Sequence, residues 1–324
     1  MGSFFEVQLP AALPGALALA ESALDLIDRL ELQLTIYRDD SEMSRLNATA
    51  HQRPVPVEPR LFELLQSAQA LHDETGGAYD VASGALSVAW GFVRGPRRVP
   101  DPDQLHEARS RSGSKLVQLD PAHRTVQFDR PGVILNLGSI GKGYAVDRAI
   151  ELIRTNPWPT CGLVQAGQSS VYALGTPPGQ IAGGWEVSLR NPFDAERPLG
   201  TIRLQNRGLG TTGAAFQAFE AQGRTYGHVI DPRTGEPPAG TPVSVTVLAP
   251  TAAEADALST AFYLLGPLAS AQYIAHHNRV SAVFVMDRAP ARSEVHYPEI
   301  VVINLRGSEF DPDPLVPVRS VPLP

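Results

Sequence analysis

One cysteine, Cys161, stands in the whole chain. An internal disulfide is therefore excluded, and so is a cysteine-built metal cluster. Positive charge is in short supply: 27 Lys and Arg against 34 Asp and Glu give a net charge of −7. That balance argues against a general nucleic-acid binder. No run approaches the roughly 18 apolar residues of a membrane helix. Residues 1–10 carry neither a charged n-region nor an apolar h-region, and no lipidated cysteine follows. The expectation is a cytoplasmic protein without a membrane segment, in keeping with the lone cysteine. The patterns G-x-S-x-G, H-E-x-x-H and C-x-x-C are all missing.

What is present is enough for a sizeable core: 43% of the 324 residues are hydrophobic and 19% charged, roughly two domains' worth of chain. The stretch around which the rest is organised is 133–147. Its apolar start, Val133 to Leu137, predicts a buried strand. Gly138, Gly141 and Gly143 follow, with Lys142 between the last two. Val146, Ala149, Ile150 and Ile153 then keep helical spacing. Glycines at a strand-to-helix junction let backbone approach a ligand, and the helix start favours an anion. The stretch fits neither the P-loop nor the dinucleotide pattern. On these residues alone, a tight turn with a solvated lysine and a phosphate site stand side by side.

In chain order, a strand is expected at 4–9 and an amphipathic helix at 14–33. Residues 37–47 predict a polar loop with a short helical turn. Leu61 to Leu71 mark a helix that stops at Gly76-Gly77. Trp90-Gly91-Phe92 reads as core, and 94–114 as an exposed insertion. Strands are expected at 115–120 and 125–129 around a turn, then at 161–166, 171–174, 185–190 and 200–206. A short helix is expected at 214–221 and a strand from Tyr226 to Asp231 ending in a turn at 232–235. After a strand at 243–248, Thr251 to Glu254 has the form of a capping box opening a helix. Gly266 ends that helix and Pro267 starts another, to His277. Strands at 280–286 and 299–305 close the fold, and the Pro- and Asp-rich tail from Gly307 is expected to be extended or frayed.

Two features carry candidate chemistry. Asp256 and Thr260 lie four apart on one helix face. They suit Mg²⁺, which takes few protein oxygens, or equally a helix-start carboxylate with a threonine bonded to its own helix. His228, alone in a strand-like run, is either a satisfied imidazole or a general base.

Taken together, four stretches resemble the ApbE family, the FAD:protein FMN transferases. Ser41-Glu42-Met43-Ser44-Arg45-Leu46-Asn47 is similar to the family's S-E-x-S-x-x-N. Gly76 to Asp80 with Trp90-Gly91-Phe92 is similar to T-G-G-x-[FY]-D…W-G-F. Residues 138–147 resemble G-x-I-A-K-G-Y-A-V-D. Residues 211–260 hold T-[ST]-G, H-x-I-D-P-[RK]-T-G and A-D-A-L-[AS]-T in family order, and Met1-Gly2-Ser3 resembles an opening M-G-T. The chain departs at Gly141, commonly Ala, and at Gly167-Gln168-Ser169-Ser170, where members often carry a glycine pair and an acidic or amide residue. It departs again at Thr212-Gly213-Ala214-Ala215-Phe216, where members read S-G-x-Y.

The resemblance implies an α+β, two-lobed (T-fold-like) architecture with mixed, largely antiparallel sheets, packed helices and FAD in the cleft between lobes. The catalytic region would run over 1–306, with 307–324 as a tail. It implies Mg²⁺-dependent transfer of FMN from FAD to a Thr or Ser hydroxyl of an acceptor flavoprotein, with AMP leaving. Asp256, Thr260 and the Gly141 carbonyl would hold the metal, and His228 would be the base. Gly138 and Lys142 would hold the FAD phosphates. Ser44, Asn47, Tyr79, Asp80 and Thr212 would line the flavin and adenosine pocket. Its rivals are an FAD pyrophosphatase that passes the phosphoryl group to water and a non-catalytic FAD-binding maturation factor.

Overall fold

Local sequence chemistry sets the elements of the computed structural model, which describes residues 3–157, 159–180, 183–213, 218–240, 242–288 and 298–324. β1 (Phe5–Gln8) alternates half-buried and exposed positions, and α1 (Ala16–Leu34) follows its Leu and Ala spacing. The polar stretch after it is more ordered than a loop. Ser41 Oγ accepts the Ser44 N–H at 3.0 Å and starts α2 (Glu42–Thr49), which buries Met43 and Leu46. After β2 (Val55–Pro56), α3 (Pro59–Glu74) begins at a proline and ends before Gly76 and Gly77, which take φ of 60° and 78°.

Residues 94–114 are not simply an exposed insertion. Following α4 (Gly84–Ala89), Asp101 and Gln104 form a reciprocal capping box that opens α5 (Pro102–Ser110). Ala108, Ser112 and Ser114 are buried. β3 (Val117–Asp120) and β4 (Thr125–Phe128) then pair antiparallel, with β2 beside β4.

The apolar run Val133–Leu137 buries Val133, Leu135 and Leu137 but is not a strand. Among the described residues no neighbouring strand pairs with it. The Asn47 amide donates to the Leu135 carbonyl and accepts its N–H, both at 2.9 Å. The Asn136 N–H goes to Val81 O at 2.8 Å, and the Gly84 N–H to Ile134 O at 3.1 Å. Buried backbone must find partners, and here one side chain and two turns replace a ladder. α6 (Gly141–Thr155) follows at once.

β5 (Gly162–Ala166), β6 (Ser170–Leu174), β7 (Trp185–Leu189) and β8 (Gly200–Leu204) match expectation. β9 (Arg207–Gly213) is longer than its glycines suggest. Of the helix expected at 214–221, residues 214–217 lie outside the described residues, as do Met1 and Gly2, and β10 (Ala218–Ala221) is a strand paired with β11 (Arg224–Gly227). The strand expected from Tyr226 to Asp231 therefore ends before His228. β12 (Ser244–Ala249) leads to α7 (Ala252–His276), whose two parts are divided at Gly266 by φ 72° and ψ 176°. β13 (Ser281–Asp287) and β14 (Pro298–Ile303) complete the core.

The tail is not frayed. β15 (Phe310–Pro312) pairs with β8, and β16 (Val318–Ser320) lies parallel to β14. Its acids meet distant arginines: Glu309 with Arg207 at 2.8 Å, Asp311 with Arg203 at 3.9 Å, and Asp313 with Arg197 at 3.3 Å.

The chain forms two compact units, Met1–Arg29 with Ile140–Gly213 and Gly240–Pro324, and Leu30–Ser139 with Ala214–Ala239. The first holds an eight-stranded sheet in the order β1-β5-β6-β9-β12-β13-β14-β16, in which only β14–β16 is parallel, and the sheet β15-β8-β7. Leu163, Leu209, Leu248 and Val283 on the large sheet share a core with Leu189, Ile202 and Leu204 on the small one. The second unit holds β2-β4-β3, the β10–β11 hairpin and α2 to α5. Its hairpin side is built on Leu86, Trp90, Ala108, Tyr226 and Ile230, so Trp90 is core as its sequence context suggests. Among the described residues no helix is long and apolar enough to cross a membrane.

One packing detail positions everything that follows. Strand alternation turns Leu209 into the core and Gly208, Gly210 and Thr212 to the other face. A Cβ on Gly208 would lie 2.3 Å from Ala252 N, and one on Gly210 would lie 2.4 Å from Asp256 N. The start of α7 therefore rests directly on the β9 backbone. Likewise a Cβ on Gly143 would lie 2.2 Å from Ala252 O, so the first turns of α6 and α7 touch backbone to backbone. Gly143→Ala is expected to lower stability by about 3 kcal/mol, read as a lower urea midpoint at unchanged m-value. A loss below about 0.5 kcal/mol would mean that the helices part freely.

Candidate functional site

Five of the residues singled out in the sequence, Gly141, Lys142, Thr212, Asp256 and Thr260, belong to the first unit. Asp256 is at their centre. It sits in the second turn of α7, 6% exposed, over the glycine face of β9. Its Oδ2 accepts the Gly143 N–H at 2.7 Å. Ser170 Oγ, on β6 directly beside Gly210 in the sheet, lies 2.7 Å from Oδ1 and 2.8 Å from Oδ2. Burial pushes the Asp256 carboxyl up to about 6, against the pull of the Lys142 charge, the Ser170 hydroxyl and the Gly143 N–H. A carboxylate so placed favours a further cation.

One turn on, the side chains are hydroxyls. Thr212 Oγ1 lies 2.7 Å from Ser259 Oγ and 3.2 Å from Thr260 Oγ1. Ser259 Oγ donates to the Asp256 carbonyl at 2.8 Å, and Thr260 Oγ1 approaches it at 3.4 Å. The back-bonded threonine foreseen as an alternative is thus present, and so is the cluster of oxygens.

A second carboxylate completes the arrangement. Asp147, in the second turn of α6, accepts the Ala252 and Ala253 N–H groups, each at 2.8 Å. Burial pushes it up to about 7, opposed by those two N–H groups and aided by the charges of Asp256 and Glu151. Each helix thus lends a carboxylate to the first turn of the other. The anion expected at the start of α6 is, in part, Asp256 itself.

The donor set decides what could bind. Among the described residues no three His, Cys, Asp or Glu side chains converge as a metal cluster. One buried carboxylate with hydroxyls nearby is a hard-oxygen set, too small for zinc or calcium and adequate for Mg²⁺, which keeps waters and substrate oxygens. Gly141, the first residue of α6, stands two residues before the N–H that Asp256 takes. The residues present fit Mg²⁺.

The other six residues lie in the second unit. Asn47 supports the 133–137 segment, as described. Ser44 gives its N–H to Ser41 Oγ, and Gly138 gives its N–H to Asn136 Oδ1 at 3.0 Å. Tyr79 is 1% exposed. Asp80 accepts from Ser114 Oγ at 2.7 Å, from the Ser114 N–H at 2.9 Å and from the Ala82 N–H at 2.8 Å. His72 Nδ1 lies 3.1 Å from the Asp80 carboxylate and 3.1 Å from the Tyr79 carbonyl. Burial pushes Asp80 up, but the hydrogen bonds from His72, Ser114 and Ala82 outweigh it and hold the carboxyl below its ordinary value. The same bond to Asp80 raises His72 against its burial.

His228 is half-buried, with its ring edge-on to Phe92 at 6.5 Å between centroids. The turn after it is fastened. The Gly235 N–H donates to Asp231 O at 2.7 Å, Arg233 grips the Asp231 carboxylate at 2.7 and 2.9 Å, and Trp90 Nε1 donates to Gly235 O at 2.9 Å.

Sequence reasoning missed Ser170, Ser259 and the task of Asp147. Asp147 had a signal, because it stands four residues after Gly143 just as Asp256 stands four after Ala252. Ser170 was marked only as part of the departing stretch 167–170, and its place beside Gly210 comes from the strand register.

Comparison with known proteins follows the same lines. The family model described as ApbE family matches residues 1–284. The FAD:protein FMN transferase of Treponema pallidum is 33% identical over 280 residues, 83% of this chain and 77% of that protein. The protein of the same name from Salmonella typhimurium is 32% identical over 262 residues, 76% and 73% of the two chains. Among solved structures, the ApbE protein of Thermotoga maritima matches with a TM-score of 0.78 at 26% identity, over 87% of this chain and 93% of that one. The apo flavinyl transferase ApbE of Pseudomonas stutzeri matches at 0.77 and 28%, over 89% of each chain.

Proposed function

The chain belongs to the ApbE family, and from that premise we propose that it transfers FMN from FAD to a Thr or Ser hydroxyl of an acceptor flavoprotein. The hydroxyl oxygen bonds to the FMN phosphorus, the pyrophosphate P–O bond breaks, AMP leaves, and the hydroxyl proton passes to His228. The observation that supports this most directly is Asp256: a buried carboxylate raised to about 6, fixed by the Gly143 N–H and Ser170, with hydroxyls one turn away.

Phosphoryl transfer asks a protein for positioning and charge neutralisation more than for covalent chemistry. A bound Mg²⁺ supplies Lewis-acid neutralisation of the pyrophosphate oxygens. Asp256 and Thr260, with the Gly141 carbonyl, would hold it, and Ser170 and Gly143 would keep the carboxylate aimed. Lys142 adds positive charge on the same turn, suited to a phosphate. Tyr79, Asp80, Ser44 and Thr212 would serve the flavin and adenosine moieties.

The test combines purified protein, FAD, Mg²⁺ and an acceptor domain bearing a flavinylation threonine. The expected result is a flavin-fluorescent acceptor band on a denaturing gel, with matching AMP, that disappears with EDTA. Free FMN and AMP without a band would mean hydrolysis, and bound FAD without AMP would mean a binding protein.

A further inference from the structure

We infer that Asp147 is a positioning residue for the metal site, setting the register between α6 and α7 that holds the Asp256 carboxylate in place. This rests on the reading of Asp256 as a metal ligand, and goes beyond it by assigning the residue that places the ligand.

Two hydrogen-bonded rungs join the helices, one turn apart. In the first, Gly143 in the first turn of α6 donates to Asp256 in the second turn of α7 at 2.7 Å. In the second, Ala252 and Ala253 in the first turn of α7 donate to Asp147 in the second turn of α6 at 2.8 Å. The spacing is four residues on α6 and three to four on α7, so each helix is held to the other at two successive turns.

The α7 start already has a cap of its own. Thr251 Oγ1 accepts the Glu254 N–H at 3.1 Å, and Thr251 O accepts the Ala255 N–H at 3.1 Å. The two N–H groups left over are the ones Asp147 takes. Its part is therefore to tie the helix to α6 as well as to cap it. The missing Cβ of Gly143 allows the approach, and Asp147 is the side chain that fixes its distance. A ligand carboxylate depends on such outer partners for its orientation, and their loss commonly weakens metal binding by about 10- to 100-fold.

Asp147→Asn tests this with little change of shape. The amide offers one acceptor where two N–H groups need one each, and turns its NH₂ toward the other. Mn²⁺ alone, without FAD, is titrated by calorimetry into wild type, Asp147→Asn and Asp256→Ala, well below each melting midpoint. The expected result is binding by wild type, no binding at that site by Asp256→Ala, and about tenfold or weaker affinity in Asp147→Asn. In transfer assays, extra Mg²⁺ should restore most of the Asp147→Asn rate and none of the Asp256→Ala rate.

Equal Mn²⁺ affinity in wild type and a folded Asp147→Asn, with Asp256→Ala inactive in binding, would overturn the positioning role and leave the metal reading intact. Equal binding by all three would overturn both. Should Asp147→Asn not fold, Asp147→Glu is titrated instead. It keeps both acceptor oxygens but shifts the rung by a methylene, so the same weakening is expected, and unchanged affinity would overturn the role.

Discussion

Asp256→Asn should abolish Mg²⁺-dependent FMN transfer, by about 10³-fold or more, while the protein stays folded. The size follows from chemistry: a ligand charge that supports neutralisation of a pyrophosphate is worth several kcal/mol in the transition state. Folding should survive for a different reason. In the metal-free protein the Asp256 carboxyl is pushed from 3.8 to about 6 by burial, against the pull of the Lys142 charge, so its ionisation costs the native state about 3 kcal/mol at neutral pH. The native state keeps the extra proton between those two values. This carboxyl therefore takes stability away as pH rises from about 4 to about 6, and the loss stays constant above. The amide has no charge to bury, so Asp256→Asn should show a flatter stability-against-pH curve than metal-free wild type and should not be less stable at pH 7. Added Mg²⁺ should raise the wild-type melting midpoint at pH 7 and leave the variant unmoved. Transfer by Asp256→Asn at wild-type rate, at any Mg²⁺ concentration, would remove this residue from the metal site.

What the sequence made legible has a common character: it is local. The cap at Thr251, the break at Gly266-Pro267, the period of α1 and α3, and the glycines around the start of α6 all act on residues within a turn or two. The family resemblance added the grouping of distant stretches; Thr212, which it put with the flavin and adenosine pocket, stands beside Ser259 and Thr260. What stayed hidden depends on partners remote in the chain. Val133–Leu137 has the composition of a strand, but its backbone is satisfied by Asn47, 88 residues before Leu135. The tail has a frayed composition, but Glu309 and Asp313 find arginines 102 and 116 residues away. Ser170 reaches Asp256 only because β6 and β9 pair in one register. A slip of one residue would turn it to the other face of the sheet. Periodicity cannot report such facts, whereas a carboxylate recurring four residues after a close-approach turn can be sought.

His228→Ala should lower the rate of the transfer step by about 10²- to 10⁴-fold and change FAD affinity little. His228 follows β11 in the second unit, at the head of a turn fastened by Asp231, Arg233 and Trp90. Removing the imidazole leaves those bonds untouched, since they lie three or more residues on. A general base must be neutral to work, so the wild-type rate should fall on the acid side as the imidazole takes up a proton. In His228→Ala that limb should vanish, leaving a low rate set by solvent. Three readouts separate base from scaffold: single-turnover transfer, FAD affinity by fluorescence, and the pH profile. A weakened FAD affinity with an unchanged single-turnover rate at saturating FAD would make His228 a binding residue. An unchanged rate with the acid limb still present would place the base elsewhere. The expected pattern is unchanged FAD affinity, a slow transfer step and a lost acid limb, the behaviour of a side chain that meets the acceptor's hydroxyl and not the dinucleotide.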